Sequence, residues 1–293
     1  MKQLTVFTPS YNRAHLLPDL YKSLLRQSCK DFIWLIVDDG SNDGTAGLVK
    51  SWIEKNEIEI KYEYQNNQGM HGAHNTAYRL IETELNVCID SDDFMPDDAV
   101  DKTLKLWKDK GNKALAGIVA LDATKDGEII GTKLPENETI TLCQYYVNGG
   151  TGDKKLVYRT EVIKQYPEYG IYEGERLVPL SSKYVLIDQD FQLLVLNEVL
   201  CVVEYQEDGS SGTIFKQYKQ SPKGFAEARR ITMQYGLRFK DRFMAAIHYV
   251  SSAVFSNDIS FINKSPKPML TFLAIPMGVA LNIYIRYRIR SKS

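Results

Sequence analysis

The chain has 293 residues, 44% hydrophobic and 25% charged, which is an ordinary globular composition and enough for one large domain or a domain with an appendage. Its four cysteines are widely spaced and form no C-x-x-C, which argues against a disulfide framework or a zinc site. The net charge of −1 hides an asymmetry, because residues 216–293 carry 14 Lys and Arg against 3 Asp and Glu. This basic region predicts an anionic partner surface, either membrane or nucleic acid.

Short apolar runs alternate with helical periodicity in the first 90 residues. The runs at residues 4–8, 32–37, 58–64 and 86–89 predict four strands, and leucines at helical spacing from Leu16 predict the first intervening helix. Strands that alternate with helices are typical of right-handed βαβ units, so we expect a parallel sheet.

The rest of the chain is predicted to be more mixed. A helix is expected after Pro96, a hairpin over residues 115–132 and a strand over residues 191–205. Asp208 to Gly212 form a Gly/Ser-rich break and a candidate domain boundary, after which residues 216–257 are predicted to be helical and basic. We therefore predict a first domain of residues 1–212 and a basic helical region of residues 213–293.

Polar side chains follow the first, second and fourth predicted strands. Parallel strands present their carboxyl ends at one edge of a sheet, where ligands bind in open α/β folds, so these side chains should converge. Carboxylates suit hard cations such as Mg²⁺ and Mn²⁺, and a metal ion held there would bridge a diphosphate. The alternative is a solvated acidic turn. The side chains concerned are Ser10, Tyr11, Asn12, Asp38, Asp39, Asp90, Asp92 and Asp93.

Four ordered segments resemble family 2 glycosyltransferases over roughly residues 3–210. They are residues 8–13 (Thr-Pro-Ser-Tyr-Asn-Arg), 37–45 (beginning Val-Asp-Asp-Gly-Ser), 67–75 and 90–93 (Asp-Ser-Asp-Asp). The resemblance implies the Rossmann-like GT-A nucleotide-diphospho-sugar transferase fold, an α/β fold with a mixed central sheet, here followed by the basic helical appendage. It also implies an inverting, metal-dependent enzyme that moves one sugar from a nucleotide-sugar, with UDP favoured by family habit.

The resemblance also assigns roles to residues. Tyr11 is available to stack on a nucleobase, Asp39 can accept the N3–H of a base imide, and a helix N-terminus near Asn75 favours phosphate or ribose oxygens. Asp92 is implied as the ligand of Mn²⁺ or Mg²⁺, and Asp93 as a catalytic helper to the loop or acceptor. The implied nucleotide-binding residues are Pro9, Tyr11, Asn12, Arg13, Asp39, Asn67, Gly69, Asn75, Asp90 and Ser91. His71 and His74 are expected to be structural or exposed.

An inverting enzyme needs a general base to take the proton of the acceptor hydroxyl. The family places an acid in a Gly-Glu-Asp context, and the nearest match here is Glu173-Gly174-Glu175-Arg176, in which Arg176 stands where the Asp would be. We predict Glu175 as the base, with Glu173 second and Asp188 third. A solvated acidic turn is the alternative.

The C-terminal region combines an apolar stretch with cations. Residues 269–285 contain Pro276 and Asn282 and are at the lower limit for a span, so they are predicted to lie at a membrane interface. Arg286, Arg288, Arg290 and Lys292 follow, which suits an anionic lipid surface; a packed helix is the alternative. No recognition motif supports nucleic acid as a partner.

These features predict an enzyme of bacterial surface-polysaccharide synthesis, acting on a lipid-linked saccharide. The N-terminus carries no signal peptide, so we expect a cytoplasmic protein that is peripheral at the inner face of the membrane. The oligomeric state stays open. Two alternatives remain, a degenerate nucleotide-sugar-binding scaffold and a sugar-phosphate nucleotidyltransferase, although residues 8–13 lack the Gly-rich basic loop that the latter requires.

Overall fold

A computed structural model describes residues 2–204 and 214–291, and the chain divides into two compact units. The first comprises Met1–Pro167 and Asp190–Gln206, and the second comprises Glu168–Gln189 and Glu207–Ser293. Three predicted features lie outside the described residues: the last residue of the predicted strand 191–205, the Gly/Ser-rich break, and the boundary between residues 212 and 213. We predicted that residues 168–189 belong to the first domain, but they pack within the helical second unit.

The first unit is built on a mixed sheet of eight strands in the order β3-β2-β1-β4-β7-β5-β8-β6. Strands β1 to β4 are mutually parallel, whereas β7 runs antiparallel to both β4 and β5, and β6 antiparallel to β8. The predicted mixed sheet and the parallel arrangement of its first four strands are confirmed. The strands are β1 (Leu4–Ser10), β2 (Phe32–Asp38), β3 (Ile60–Tyr64), β4 (Leu85–Cys88), β5 (Leu115–Thr124), β6 (Thr139–Ile140), β7 (Lys154–Arg159) and β8 (Gln192–Val203).

Helices connect these strands and cover the sheet. Leu17, Leu20 and Leu24 form the buried stripe of α1, which the leucine spacing predicted. Each such buried leucine contributes about 1.5–3 kcal/mol relative to an exposed one. The helices of the first unit are α1 (Leu17–Arg26), α2 (Thr45–Lys55), α3 (Met70–Leu80), α4 (Ala99–Lys110), α5 (Leu142–Val147) and α6 (Thr160–Ile163).

The first strand is longer than the sequence predicted. We expected it to end at Thr8, before Pro9, but β1 continues to Ser10, with Pro9 opposite Val37 of β2. Strand β4 pairs with β1 only as far as Phe7, so no strand on that side requires an N–H from Pro9. The extra residues carry the chain to the edge where β2 also ends.

The second unit is helical, as predicted for residues 216–257. Its longest helices, α9, α10 and α12, enclose a small apolar core around Met233, Ala246, Val250 and Ala274. Gly278 lets α12 approach α10 closely, because a Cβ there would lie 2.4 Å from the Cβ of Val250. The helices are α7 (Ser181–Ile187), α8 (Ile214–Gln220), α9 (Pro222–Tyr235), α10 (Phe239–Ser256), α11 (Phe261–Lys264) and α12 (Pro268–Arg290).

Helix α12 contains the apolar stretch for which we predicted an interfacial location. It continues through Pro276 for 23 residues and is, by length and composition, long and apolar enough to cross a membrane. One face packs within the second unit, and Asn282 donates a side-chain hydrogen bond to the carbonyl of Ser251 at 3.1 Å. Phe272 and Leu273 are each 61% exposed on the opposite side. Helix α12 therefore has both features: one face packs against the second unit, and another face exposes apolar side chains.

Candidate active site

The loops that follow β1 and β2 are joined by hydrogen bonds. The backbone N–H of Asn12 donates to Ser41 Oγ at 2.8 Å, and the N–H of Asn42 donates to Asn12 Oδ1 at 2.9 Å. The N–H of Ala14 donates to the carboxylate of Asp43 at 2.9 Å. Asn12 has a left-handed backbone with φ of 54°, which asparagine tolerates better than most residues. The structure thus brings together two of the segments for which the sequence predicts nucleotide binding.

Asp38 braces the second of these loops. Its Oδ1 accepts the N–H of Ser41 at 2.8 Å and its Oδ2 accepts the hydroxyl of Tyr62 at 2.6 Å. Burial and the neighbouring Asp38 carboxylate raise the pKa of Tyr62, so its hydroxyl keeps its proton and remains a donor.

Asp39 links the end of β2 to the segment before α3. Its Oδ1 accepts hydrogen bonds from Gln65 Nε2 at 2.7 Å and from the N–H of Gln68 at 2.8 Å, and its Oδ2 accepts from the N–H of Gly69 at 2.8 Å. Asn67 donates its side-chain amide to the Asp39 carbonyl at 2.9 Å. Burial raises the pKa of Asp39, although these hydrogen bonds oppose the rise. The Asp39 carboxylate therefore organises the group formed by the loops after β1 and β2 and the segment 65–69, which we call the cradle. One of its lone-pair sites is unused and could accept a base N–H.

Helix α3 begins directly after this segment. Gly69 has φ of 80°, a conformation that favours glycine, and Asn75 is buried within the first two turns. His71 and His74 are also buried; Nδ1 of His74 lies 3.2 Å from the hydroxyl of Tyr78. Their burial in the helix agrees with the structural role expected for them.

Tyr11 and Pro9 lie on the β1 side of the cradle. Tyr11 is 41% exposed, so its ring is accessible for stacking, whereas Pro9 is half-buried at the end of β1. Arg13 is also half-buried and follows in the same loop. All ten predicted nucleotide-binding residues lie in the first unit, and their role in binding stays a prediction.

Residues 90–93 form a tight turn directly after β4, which we call the acid turn. The N–H of Asp93 donates to the carbonyl of Asp90 at 3.1 Å, which closes the turn over Ser91 and Asp92. Asp90 and Asp92 are half-buried, while Ser91 is buried. The thiol of Cys88 donates to Asp90 Oδ1 at 3.7 Å. The turn therefore presents Asp90 and Asp92 at the carboxyl end of β4, where the sequence predicted them.

Asp93 is directed towards the end of β8. Its Oδ1 accepts the N–H of Glu204 at 3.2 Å and its Oδ2 accepts the thiol of Cys201 at 3.5 Å. Burial raises the pKa of Asp93 to about 7, despite an opposing influence of Lys155. These contacts anchor the acid turn, so Asp93 has a positioning role in addition to the catalytic role predicted for it.

Sequence reasoning missed two charged residues beneath this turn, Lys155 on β7 and Asp122 on β5. The Lys155 Nζ lies 3.9 Å from Asp122 Oδ1, and the side chains are only 12% and 4% exposed. A single acid within the apolar run of β5 was the available signal, because an isolated charge in a central strand requires a buried partner.

Glu175, the predicted general base, lies in the second unit at the N-terminus of α9. Its Oε1 accepts the N–H of Lys223 at 3.0 Å and its Oε2 accepts the N–H of Gly224 at 2.8 Å. Both are first-turn N–H groups that lack helical partners, so Glu175 caps α9. Glu173 is exposed in the same turn, and Asp188 follows the last residue of α7. The assignment of Glu175 as the general base stays a prediction, and its carboxylate already serves as the N-terminal cap of α9.

The carboxylates of the acid turn suit a metal ion that is coordinated partly by the protein and partly by a bound substrate. Among residues 2–204 and 214–291, no three His, Cys, Asp or Glu side chains are grouped as a self-contained metal site. Mg²⁺ and its relatives are commonly held by one or two carboxylates together with substrate phosphates. Asp92, with Asp90 beside it, meets that requirement.

Comparison with known proteins identifies the family. Residues 5–167 match the family model described as glycosyl transferase family 2. The chain belongs to this family and is a glycosyltransferase. It is 32% identical over 252 residues to the putative teichuronic acid biosynthesis glycosyltransferase TuaG of Bacillus subtilis, which covers 86% of this chain and 96% of TuaG.

Other glycosyltransferases match over shorter regions. A Campylobacter jejuni enzyme, GalNAc(5)-diNAcBac-PP-undecaprenol beta-1,3-glucosyltransferase, is 26% identical over 168 residues, which cover 56% of this chain and 54% of that enzyme. The chain spans less than a fifth of two further curated relatives.

Solved structures confirm the GT-A fold. Staphylococcus aureus TarS 1–349 in complex with UDP-GlcNAc aligns with a TM-score of 0.63 at 14% identity, over 99% of this chain and 92% of that one. The Pyrobaculum calidifontis mannosyltransferase PcManGT, in complex with GDP-Man and Mn²⁺, aligns with a TM-score of 0.57 at 16% identity, over 96% and 87%. At these identities the likeness concerns the fold.

Replacing Asp39 should weaken nucleotide binding more than it slows the chemical step. Asp39→Ala removes the carboxylate that orders the Gln65–Gly69 segment, but it touches no reacting atom. We expect a roughly tenfold or larger rise in the Kd for UDP, because at least one charge-assisted hydrogen bond of about 1.5–3 kcal/mol is lost. Calorimetry would measure it, with Glu63→Ala, an exposed acid on β3, as control. Equal UDP affinity in Asp39→Ala and the unmodified protein would remove Asp39 from the site.

A paired substitution separates the two duties of the Glu173–Glu175 turn. Glu175→Gln should lower the free energy of unfolding by about 1 kcal/mol through loss of the α9 cap, whereas exposed Glu173→Gln should not. If Glu175 is also the base, kcat should fall about 10²–10⁴-fold with donor affinity nearly unchanged. Chemical denaturation and steady-state kinetics on both variants would measure these effects. A larger kcat loss in Glu173→Gln would exchange the roles, and no loss in either would place the base elsewhere.

Proposed function

We propose that this glycosyltransferase transfers one sugar, with inversion, from a UDP-sugar to a hydroxyl of a lipid-linked saccharide in bacterial surface-polysaccharide synthesis. The observation that carries the proposal is the convergence of the nucleotide cradle and the acid turn at the carboxyl edge of β1, β2 and β4. The names of TuaG and of the Campylobacter enzyme, one concerned with teichuronic acid and the other with an undecaprenol-linked glycan, support the acceptor class.

Donor binding would use the joined loops. Tyr11 would stack on the base, Asp39 would accept the imide N–H, and the Asn67–Gly69 segment would approach the ribose and phosphates. Asn12 and Arg13 would line the β1 side of the same cradle. The hydrogen bonds already present between the loops mean that little ordering would accompany binding, which favours affinity. The UDP-GlcNAc complex of TarS supports UDP as the nucleotide.

Asp92, with Asp90 and Ser91 beside it, would hold a divalent metal ion at the donor diphosphate. When bound, Mn²⁺ or Mg²⁺ would neutralise charge on the departing nucleoside diphosphate. Asp93 would keep the turn in place through Glu204 and Cys201, and an acid of the Glu173–Glu175 turn would take the proton of the acceptor hydroxyl. The Mn²⁺ complex of PcManGT supports the choice of metal.

The exposed face of α12 would contact an anionic membrane surface from the cytoplasmic side. Phe272, Leu273 and Ile283 are exposed on this helix, and Arg286 and Arg290 lie towards its C-terminal end. Each basic residue near such a surface contributes about 1 kcal/mol, and exposed apolar side chains add insertion into the interface. Association with the membrane would bring the enzyme to a lipid-linked acceptor.

Asp92→Asn tests the metal and the reaction together. We expect turnover to be lost with the fold intact, because the substitution removes a charge from a half-exposed turn and not from the core. A thermal-shift screen of UDP-, GDP- and dTDP-sugars, with and without Mn²⁺, should show Mn²⁺-dependent stabilisation by a UDP-sugar in the unmodified protein and in the control variant, but not in Asp92→Asn. Asp109→Asn, an exposed acid on α4, is the control. Metal-dependent activity surviving in Asp92→Asn would refute the metal assignment.

Substitutions on the exposed face of α12 test the membrane contact. Removal of residues 269–293 would open the helical core, since Thr271, Ala274 and Gly278 are buried in it, so point variants are the sharper test. Phe272→Glu with Leu273→Glu should abolish flotation with anionic vesicles, while transfer to a soluble acceptor persists. The control pair Gln220→Glu and Gln234→Glu adds the same charge at exposed positions of α8 and α9.

Salt supplies a second arm of this experiment. Flotation of the unmodified protein should weaken as ionic strength rises, because salt screens surface charges over about 8 Å at physiological concentration. Equal flotation of both double variants would mean that the exposed face of α12 does not bind lipid, and the peripheral location would be dropped.

A further inference from the structure

A buried cation is linked to the acid turn through neighbouring strands. Lys155 on β7 pairs with Asp122 on β5, and Asp93 in the turn accepts the thiol of Cys201 on β8. We call these four residues the Lys155 cluster. The register places Ala120 of β5 opposite Lys155 and Asp122 opposite Cys201. The cluster is therefore held by three neighbouring strands of the central sheet.

Charge explains why the lysine is there. Carboxylates concentrated in a buried region repel each other and lose hydration, which costs several kcal/mol per ion without a compensating cation. The Lys155 Nζ lies 3.9 Å from Asp122, and the carboxylates of Asp122, Asp93 and Asp90 raise the pKa of Lys155 well above its usual range although burial alone would lower it. The ammonium therefore stays charged, with Asp122 as its ion-pair partner and with Asp93 and Asp90 contributing to the local negative potential.

The neighbouring Lys154 has a different environment. Successive strand residues face opposite sides of a sheet, and the Lys154 Nζ donates to the carbonyls of Ile130 and Asp153 at 2.9 and 3.0 Å. Lys154 thus ties a loop of the first unit, whereas Lys155 faces the acids. The Oδ1 of Asp122 is buried and accepts no hydrogen bond from any residue in the described ranges, which leaves its interaction with Lys155 purely ionic.

We propose that Lys155 is the resident counter-cation of the acid turn and sets how strongly this turn binds a divalent metal ion. It stabilises the acids when no metal is bound and repels a metal ion that arrives alone. Phosphate oxygens of the donor supply the additional attraction, so metal and nucleotide should bind cooperatively. This inference rests on the proposed metal-dependent donor site, and it makes Lys155 a positioning residue.

The two charges of the buried pair predict effects of opposite sign. Lys155→Met removes the repulsion, so Mn²⁺ should bind in the absence of nucleotide roughly tenfold or more tightly. Asp122→Asn leaves the ammonium without its ion-pair partner, which makes the local potential more positive, so Mn²⁺ should bind several-fold more weakly. If Lys155 and Asp122 were needed only for folding, their substitutions would not shift the Mn²⁺ affinity in opposite directions.

Titration calorimetry with Mn²⁺ alone, UDP alone and Mn²⁺ in the presence of UDP would measure these effects. Lys155→Arg should stay near the unmodified protein, since it keeps the charge, and Lys61→Met, an exposed lysine on β3, is the control for net charge. The cooperativity between Mn²⁺ and UDP should be smaller in Lys155→Met. In EDTA, Lys155→Met should melt at a lower temperature, and Mn²⁺ should restore more of its stability than it adds to the unmodified protein.

Each outcome decides the proposal. Tighter Mn²⁺ binding in Lys155→Met and weaker binding in Asp122→Asn support it; shifts in the same direction, or none, overturn it while leaving the proposed function standing. If Lys155→Met does not fold, Asp122→Asn decides alone, with unchanged or tighter binding as the contrary result. If the unmodified protein binds UDP but no Mn²⁺ under any condition, both this inference and the metal part of the proposed function fail.

Discussion

The parallel pairing of β1 with β2 and β4 is the constraint on which the candidate site depends. In this register Ser10 lies opposite Asp38, and Phe7 lies opposite Cys88. Three loops must therefore leave the sheet at one edge, even though they are separated by up to 80 residues of sequence. Hydrogen bonds from the N–H of Asn12 to Ser41 and from the N–H of Gly69 to Asp39 then join neighbouring loops, so the cradle is held by the same strands that form the core.

Concentrating acids at this edge has a cost that the interior must offset. Asp38 and Asp39 are stabilised by N–H and hydroxyl donors. Asp93 accepts one N–H and one thiol, whereas the Oδ1 of Asp122 has Lys155 as its ionic partner. The difference has a functional consequence, because hydrogen-bond donors fix geometry while a buried cation also alters the local potential. In the proposed enzyme, the nucleotide end of the site would be rigid and the metal end would be tuned by charge.

The second unit shows how structural and proposed functional demands meet in the same residues. Glu175 caps α9, and this capping would restrict the carboxylate if it also served as the base. Helix α12 combines a packed stripe of small residues with exposed apolar side chains, so its composition alone could not distinguish a core helix from a membrane-contacting one. The capping role of Glu175 and the packing of α12 therefore neither require nor exclude the catalytic and membrane-binding roles proposed for them.

The sequence by itself determined the fold class, the first four strands and the family, because period-two and helical patterns and short motifs are local properties of the chain. It also predicted that acids would gather at a sheet edge, since parallel strands leave no other arrangement for their carboxyl ends. Only the tertiary structure revealed the buried pair of Lys155 and Asp122, the engagement of both Glu175 oxygens by α9 and the placement of residues 168–189 in the second unit. Each of these depends on contacts between residues far apart in sequence, and such contacts leave no periodic signal in the chain.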